Sequence, residues 1–514
     1  MPPIVSTSYG RLRGTTEHDL HVFRGIPFAA PPVGELRFRA PHRPEAWEGV
    51  RESTEFGLYA IQTYAPGGEL IGFYDMPTDE DCLTLNVWTP GLDDAKRPVM
   101  VWIHGGAYAA GAGSAPTYDG QHLARRGDVV VVTINYRIGA LGFLYNQALT
   151  DGEDAHTGNY GMRDQVAALE WVREQIGAFG GDPENVTIFG ESPGGMSVAA
   201  LLGSPEAEGL FQRAIPQSGA GHHALPLDFA EEIGRRFCAV LEIAPDDAGS
   251  LRSVPPQDIL DAQNAILLDP STRELLGRFG MPFSPTVDGG FLEALPIASI
   301  RDGRGKDVDL LCGTTEDEWT LLRILMGGVT ETDEARARAQ FELYAFGDDE
   351  FGDRLYDHYH EIRSARGAAT DPLSILDAVM TDYVFRIPAD RLLDAHSGQD
   401  GEGGTYAYLF NQQSPAMDGA LRACHGIDLP YVFGTLDEMR EFVGDDPQTD
   451  QLAGFVMDAW LNFAKTGNPG TKALPGWPRY RADQRYTMVL GPDVKTIRED
   501  REQERAFWGT DILE

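Results

Sequence analysis

The amino-acid sequence predicts an α/β protein with a central, mostly parallel sheet flanked by helices, and three observations carry that prediction. Short apolar or β-branched runs, Leu85 to Thr89, Val99 to Ile103 and Val129 to Asn135, are bounded by Gly, Pro or Asp and are hydrophobic on both sides of the pleat. Strands covered on both faces need that pattern. A helical stretch, Gly161 to Phe179, closes at Gly180-Gly181-Asp182-Pro183 and leads directly into another strand-like run. That run, Val186-Thr187-Ile188-Phe189-Gly190-Glu191-Ser192-Pro193-Gly194-Gly195, breaks abruptly at a serine flanked by glycines. Strand, helix, strand is the grammar of a doubly wound sheet.

From the start of the chain, Ile4 to Phe28 alternates as short strands do, with Gly10, Gly14 and Gly25 as turn points. Phe23 to Phe38 then passes through several prolines and reads as a packed irregular arm. Beyond the serine, Met196 to Leu202 continues as helix and Arg213 to Gly219 as a further strand. Pro216 argues that this strand is bulged or at an edge. Pro226 to Pro282 is helical and loop-like, and Val308 to Cys312 is a strand ending in Gly313-Thr314-Thr315-Glu316-Asp317-Glu318. Thr320 to Leu393 is mostly helical in pattern, Thr405 to Phe410 is another strand, and Phe455 to Lys465 is an amphipathic helix stopped by Thr466-Gly467-Asn468-Pro469. No linker divides residues 1–514, so the chain reads as one domain with helical insertions at about 226–300 and 320–400. Insertions between sheet strands usually wall the cleft.

The net charge of −37 disfavours nucleic acid and anionic membranes as partners. No run approaches transmembrane length, and Met1 to Gly14 lacks the apolar core of a signal peptide. Cys82, Cys238, Cys312 and Cys424 are scattered without a C-x-x-C pair, which indicates free thiols in a reducing, cytoplasmic setting and neither a disulfide framework nor a zinc site.

Gly190-Glu191-Ser192-Pro193-Gly194 is the only G-x-S-x-G in the chain. Between a strand and a helix, that spacing places the serine on a sharp turn with its hydroxyl above the sheet edge. Side chains at Gly190 and Gly194 would collide across so tight a turn. A serine hydroxyl needs a base and the base an acid, and in the α/β-hydrolase arrangement they follow as Ser, then Asp or Glu, then His. His358 and His360 read as solvated surface and His396 precedes a polar loop, whereas His425 lies in a compact loop after the Thr405 strand. Glu316, Asp317 and Glu318 all qualify for the acid, and spacing does not choose among them. Val101-Trp102-Ile103-His104-Gly105-Gly106-Ala107-Tyr108 ends a strand in small residues, the H-G-G pattern whose amides point into a cleft as an oxyanion hole. One residue departs from the usual scheme: the position after the serine normally lends its N–H to the oxyanion, and Pro193 has none. A residue before proline is also pushed towards extended conformations, against the elbow.

These motifs together resemble the type-B carboxylesterase family, the group that includes the cholinesterases and bacterial para-nitrobenzyl esterases. The resemblance also rests on Phe23 to Phe38, Glu80-Asp81-Cys82-Leu83-Thr84-Leu85-Asn86-Val87 and Asn135-Tyr136-Arg137, and covers nearly the whole chain. It implies Ser192 as nucleophile, Glu318 as acid and His425 as base, with oxyanion donors from Gly106 and Ala107 and Gly105 adjacent. It places Glu191 and Ser218 as polar residues beside the triad. It departs at Pro193, where the family has alanine, and at Pro216, where an aliphatic residue is common. Secreted relatives pair the cysteine at Cys82, which has no upstream partner here. The expected activity is hydrolysis of small-molecule carboxylic esters through an acyl-enzyme without metal or organic cofactor, with Tyr108, Met196, Trp319 and Leu322 as apolar pocket walls. An amidase or carbamate hydrolase, and a non-catalytic binding protein, are the alternatives.

Overall fold

A computed structural model describes residues 2–64, 68–72, 74–150, 158–276, 280–327, 330–342, 350–499 and 501–509. Parts of the two predicted insertions, at 277–279, 328–329 and 343–349, lie outside the described residues, as do both ends of the predicted 1–514 unit. Fourteen strands are described: β1 (Ile4–Thr7), β2 (Gly10–Arg13), β3 (Thr15–Glu17), β4 (Leu20–Pro27), β5 (Val50–Glu52), β6 (Thr84–Thr89) and β7 (Arg97–Ile103) come first. They are followed by β8 (Val130–Ile134), β9 (Gly181–Glu191), β10 (Arg213–Gln217), β11 (Asp309–Thr315), β12 (Thr405–Phe410), β13 (Tyr486–Leu490) and β14 (Lys495–Arg498). β1, β2 and β5 form a small separate sheet. The other eleven form one sheet in the order β14-β13-β12-β11-β10-β9-β7-β8-β6-β4-β3. From β8 to β13 every pairing is parallel, and the antiparallel pairs lie at the two ends.

Alternation along the central strands divides the core into two layers. Val99, Val101 and Ile103 of β7 join Val130 and Val132 of β8 on one face, while Met100, Trp102 and Val131 point to the other. The helices Tyr160–Gln175 and Pro193–Gly203 supply buried residues to the first layer, and Pro447–Thr466 to the second. Trp102 packs against Tyr118, Phe189 and Phe433, each with ring centroids 4.9 Å away. Burying an aromatic of this size stabilises the fold by about 2–3 kcal/mol. A third cluster joins Phe341, Leu355, Tyr359 and Ile375 of the second insertion to Trp508 of the last described helix. No helix among the described residues is long and apolar enough to cross a membrane. All four cysteines are buried free thiols.

Three sequence expectations are corrected. Pro216 lies in a central strand: β10 runs between β9 and β11 with its register unbroken. The Gln217 carbonyl accepts from the Ser192 N–H and the Ser218 N–H donates to the Gly313 carbonyl, so by alternation the Pro216 nitrogen faces β11. The sheet forgoes one ladder bond there and keeps its neighbours. Phe23 to Pro27, where the strand reading of Ile4 to Phe28 overlaps the irregular reading of Phe23 to Phe38, is the end of β4; a register shift between Phe23 and Ile26 lets the strand continue. β11 extends to Thr315, beyond the expected Cys312, because its last residues still pair with β12 up to Phe410.

Two buried bidentate ion pairs pin the arms around the sheet. Arg37 donates to Glu80 at 2.7 and 2.6 Å, tying the proline-rich arm to the segment before β6. Arg137 donates to Asp164 at 2.7 and 2.6 Å, tying the end of β8 to the helix Tyr160–Gln175. Removing one partner of such a pair strands a buried charge and costs about 3–5 kcal/mol.

Candidate active site

β9 ends at Glu191 and the helix Pro193–Gly203 begins two residues later, so the reversal falls on Ser192, which adopts φ 59°, ψ −127°. A non-glycine residue held there stores about 1–3 kcal/mol of strain. Its surroundings fix it: the Ser192 N–H donates to the Gln217 carbonyl and its carbonyl accepts from the Met196 N–H, both at 2.9 Å. A Cβ on Gly194 would stand 2.1 Å from the Ile103 carbonyl oxygen, and one on Gly190 2.6 Å from Gly194 backbone. The turn is therefore open only to glycine at both places. Pro193 occupies the first helical position, where a missing N–H is tolerated. It does not extend the serine, contrary to expectation, because a following proline acts mainly against helical ψ and the elbow's ψ avoids that region.

The Ser192 hydroxyl lies 2.7 Å from Nε2 of His425, and Nδ1 of the same ring lies 2.5 Å from Oε2 of Glu318. Of the three acidic residues that follow β11, Glu318 is fully buried and its Oε1 accepts from the Thr315 N–H at 2.8 Å. Glu316 is exposed, and Asp317 turns towards Arg422, 3.7 Å away. The Asp317 N–H donates to the Ala423 carbonyl, which stitches the acid loop to the histidine loop. The Phe385 ring packs on the His425 imidazole, with centroids 4.7 Å apart.

The H-G-G loop lies against the elbow. A Cβ on Gly105 would sit 2.7 Å from the Glu191 carbonyl and 3.3 Å from the Ser192 Cβ. Gly106, Ala107 and Tyr108 all have positive φ (110°, 55° and 54°), and both Ala109 and Ala110 donate back to the Gly106 carbonyl. The amides of Gly106 and Ala107 have no partner among the described residues. His104 is locked beneath them: it stacks on Tyr136 at 4.4 Å, its carbonyl accepts from the Tyr136 hydroxyl, and burial lowers its pKa to about 4.

Around His425 the electrostatics are acidic. Glu191 Oε1 approaches Nε2 to 3.1 Å, and burial pushes this carboxyl up to about 8. Asp428 is buried behind the ring, accepts from Gln217 at 2.9 Å, and is pushed up to about 6 by burial and then by Glu318. Burial opposes a charged imidazole, but Glu191, Glu318 and Asp428 outweigh it and raise His425 to about 9. Ser218 is fully buried and its hydroxyl has no partner among the described residues. Of the four pocket candidates, Met196 is buried, while Trp319 and Leu322 are half-buried against the core. Tyr108 takes a core position instead of a wall: it is fully buried, its ring on Phe143 and its hydroxyl 3.2 Å from Ser197.

Asp428, Gln217 and Phe385 escape sequence reasoning. Asp428 stands three residues after His425 and could have been suspected from that closeness; nothing local marks the other two.

The chain has counterparts over nearly its whole length. The model of the carboxylesterase family matches residues 1–508. The para-nitrobenzyl esterase of Bacillus subtilis (strain 168) is 39% identical over 508 residues, covering 98% of this chain and 97% of that protein. The phenmedipham hydrolase of Pseudarthrobacter oxydans is 36% identical over 507 residues, with 97% of each covered. A solved para-nitrobenzyl esterase structure superposes with a TM-score of 0.83 at 37% identity, over 99% of this chain and all of that one.

Proposed function

Starting from a chain that belongs to the carboxylesterase family and is a carboxylic ester hydrolase of α/β-hydrolase fold, we propose that Ser192, His425 and Glu318 are its catalytic residues. The observation that carries this is the unbroken chain Ser192 Oγ, His425 Nε2, His425 Nδ1, Glu318 Oε2, with contacts of 2.7 and 2.5 Å. In acylation the Ser192 oxygen forms a bond to the ester carbonyl carbon, its proton passes to Nε2, and the carbonyl π pair moves onto oxygen. The amides of Gly106 and Ala107, beside Gly105, donate to that oxygen. The pair then returns, the bond to the alcohol oxygen breaks, and the Nε2 proton leaves with the alcohol. Water repeats the sequence on the acyl-enzyme and releases the acid. Neither step requires a metal or organic cofactor.

Substrates are small esters with apolar or aromatic parts, a reading supported by likeness to the para-nitrobenzyl esterase and by Met196, Trp319 and Leu322, apolar side chains in or against one core cluster. The likeness to phenmedipham hydrolase favours carbamates as the second reading. The free thiols support a cytoplasmic location, and the acidic balance leaves nucleic acid and membrane out as partners. A fluorophosphonate probe is expected to label Ser192 alone, mapped by peptide mass spectrometry; folded protein without label on Ser192 would sink the assignment.

The Glu191 carboxyl lies 3.1 Å from Nε2, and its negative charge favours the protonated imidazole, which cannot take the serine proton. Because the surrounding carboxylates raise His425, the base form is populated on the alkaline side of an ordinary histidine. Glu191→Gln removes one raising charge, so the acid limb of the kcat/KM profile is expected to move to lower pH by about one unit. An acid limb that stays in place would show that Glu191 does not act on the base.

A further inference from the structure

We propose that Pro193 makes this esterase selective for esters of good leaving groups, aryl esters above alkyl esters. The inference rests on Ser192 being the nucleophile. The elbow delivers Ser192 to His425 in good geometry, so the proton-transfer half of the site is complete. The electrophilic half is not. The residue after an elbow nucleophile normally supplies one oxyanion donor, and here that position, the first of the helix Pro193–Gly203, has no N–H. Gly106 and Ala107 remain, held by their turn onto the Gly106 carbonyl, and the loop cannot shift inward to compensate: Gly105 already lies against Glu191 and Ser192 with no room for a methyl group.

A missing donor does not penalise all substrates alike. An aryloxide leaves readily, so attack by Ser192 passes through an early transition state in which little charge has moved onto the carbonyl oxygen. An alkoxide leaves reluctantly, so the transition state approaches the full tetrahedral intermediate and the oxygen carries nearly a whole negative charge. Donors act in proportion to the charge that develops. The electron and proton steps are those of acylation above; only the number of hydrogen bonds to the oxyanion changes. Anilides, with the poorest leaving group of all, fall furthest.

The test is a series of acetate esters, 4-nitrophenyl, phenyl, benzyl and ethyl, with kcat/KM measured for the native protein, Pro193→Ala and Pro193→Gly. The acetyl-enzyme is common to all four, so differences belong to acylation. Both variants restore an N–H at the same place. The expected result is a gain of about 10²-fold for ethyl acetate shrinking to tenfold or less for 4-nitrophenyl acetate, which flattens the dependence on leaving group. Fluorophosphonate labelling and circular dichroism establish that each variant is folded and that Ser192 is reactive. A gain equal across the series, or none in either folded, labelled variant, overturns the role of Pro193. Failure of Ser192 to label in the native protein would instead overturn the catalytic assignment beneath it.

Discussion

His425→Ala is expected to lower kcat for an aryl ester by about 10⁵- to 10⁶-fold while leaving the protein folded. His425 Nε2 is the group in contact with the Ser192 hydroxyl that can take its proton, and Glu191 Oε1 lies 3.1 Å from the same nitrogen. Without the imidazole the serine must ionise unaided, and the residue of activity comes from the Gly106 and Ala107 amides and from substrate binding. The imidazole is tied to the fold by Glu318 and by the Phe385 ring, contacts whose loss leaves a small cavity without removing a residue of the apolar core. Single-turnover kinetics with 4-nitrophenyl acetate would measure it. A loss of less than a hundredfold in folded protein would mean that the base is elsewhere.

Glu318→Gln should cost about 10⁴-fold in kcat. The carboxylate accepts the Nδ1 proton at 2.5 Å and is itself oriented by the Thr315 N–H. An amide in its place can turn its NH₂ towards Nδ1, which stabilises the tautomer with the proton on Nε2. That tautomer cannot accept from Ser192. Asp428 and Glu191 still surround the ring, but neither touches Nδ1, so their negative charge does not restore the tautomer. Glu316→Gln is the matched control: two residues earlier and exposed, it should leave kcat nearly unchanged. Equal losses in both variants would show a damaged loop and not a missing acid.

These two sites were legible to different degrees. Ser192 announces itself because the elbow is a local device: glycines at 190 and 194 meet a backbone constraint that the sequence carries within five residues. The acid is legible only as a group of three, since choosing among Glu316, Asp317 and Glu318 depends on where β11 stops. Pairing with β12 carries it to Thr315, and Glu318 then folds back onto that residue's N–H. The parallel sheet is legible from runs apolar on both faces. The position of Pro216 is not, because a lost ladder bond is tolerated only when neighbours on both sides hold the register, and those neighbours come from distant segments. Phe385 reaches His425 from a helical segment forty residues upstream in a different part of the chain. Tertiary packing alone assigns such a residue. Tyr108 illustrates the reverse: a large residue beside the oxyanion loop suggests a pocket wall, but it is fully buried, with its ring on Phe143 and its hydroxyl by Ser197.

The three acids gathered around His425 also bear on how the reaction ends. An ester enters uncharged and is indifferent to Glu191, Glu318 and Asp428. The acid formed from it is ionised at neutral pH, beside carboxyl groups that are buried and poorly screened. Those of the three that are ionised repel it, Glu191 only above about pH 8, so they are expected to drive the product out and oppose its return. On the proposed assignment, turnover is expected to take its direction from charge, a neutral molecule entering and an anion leaving.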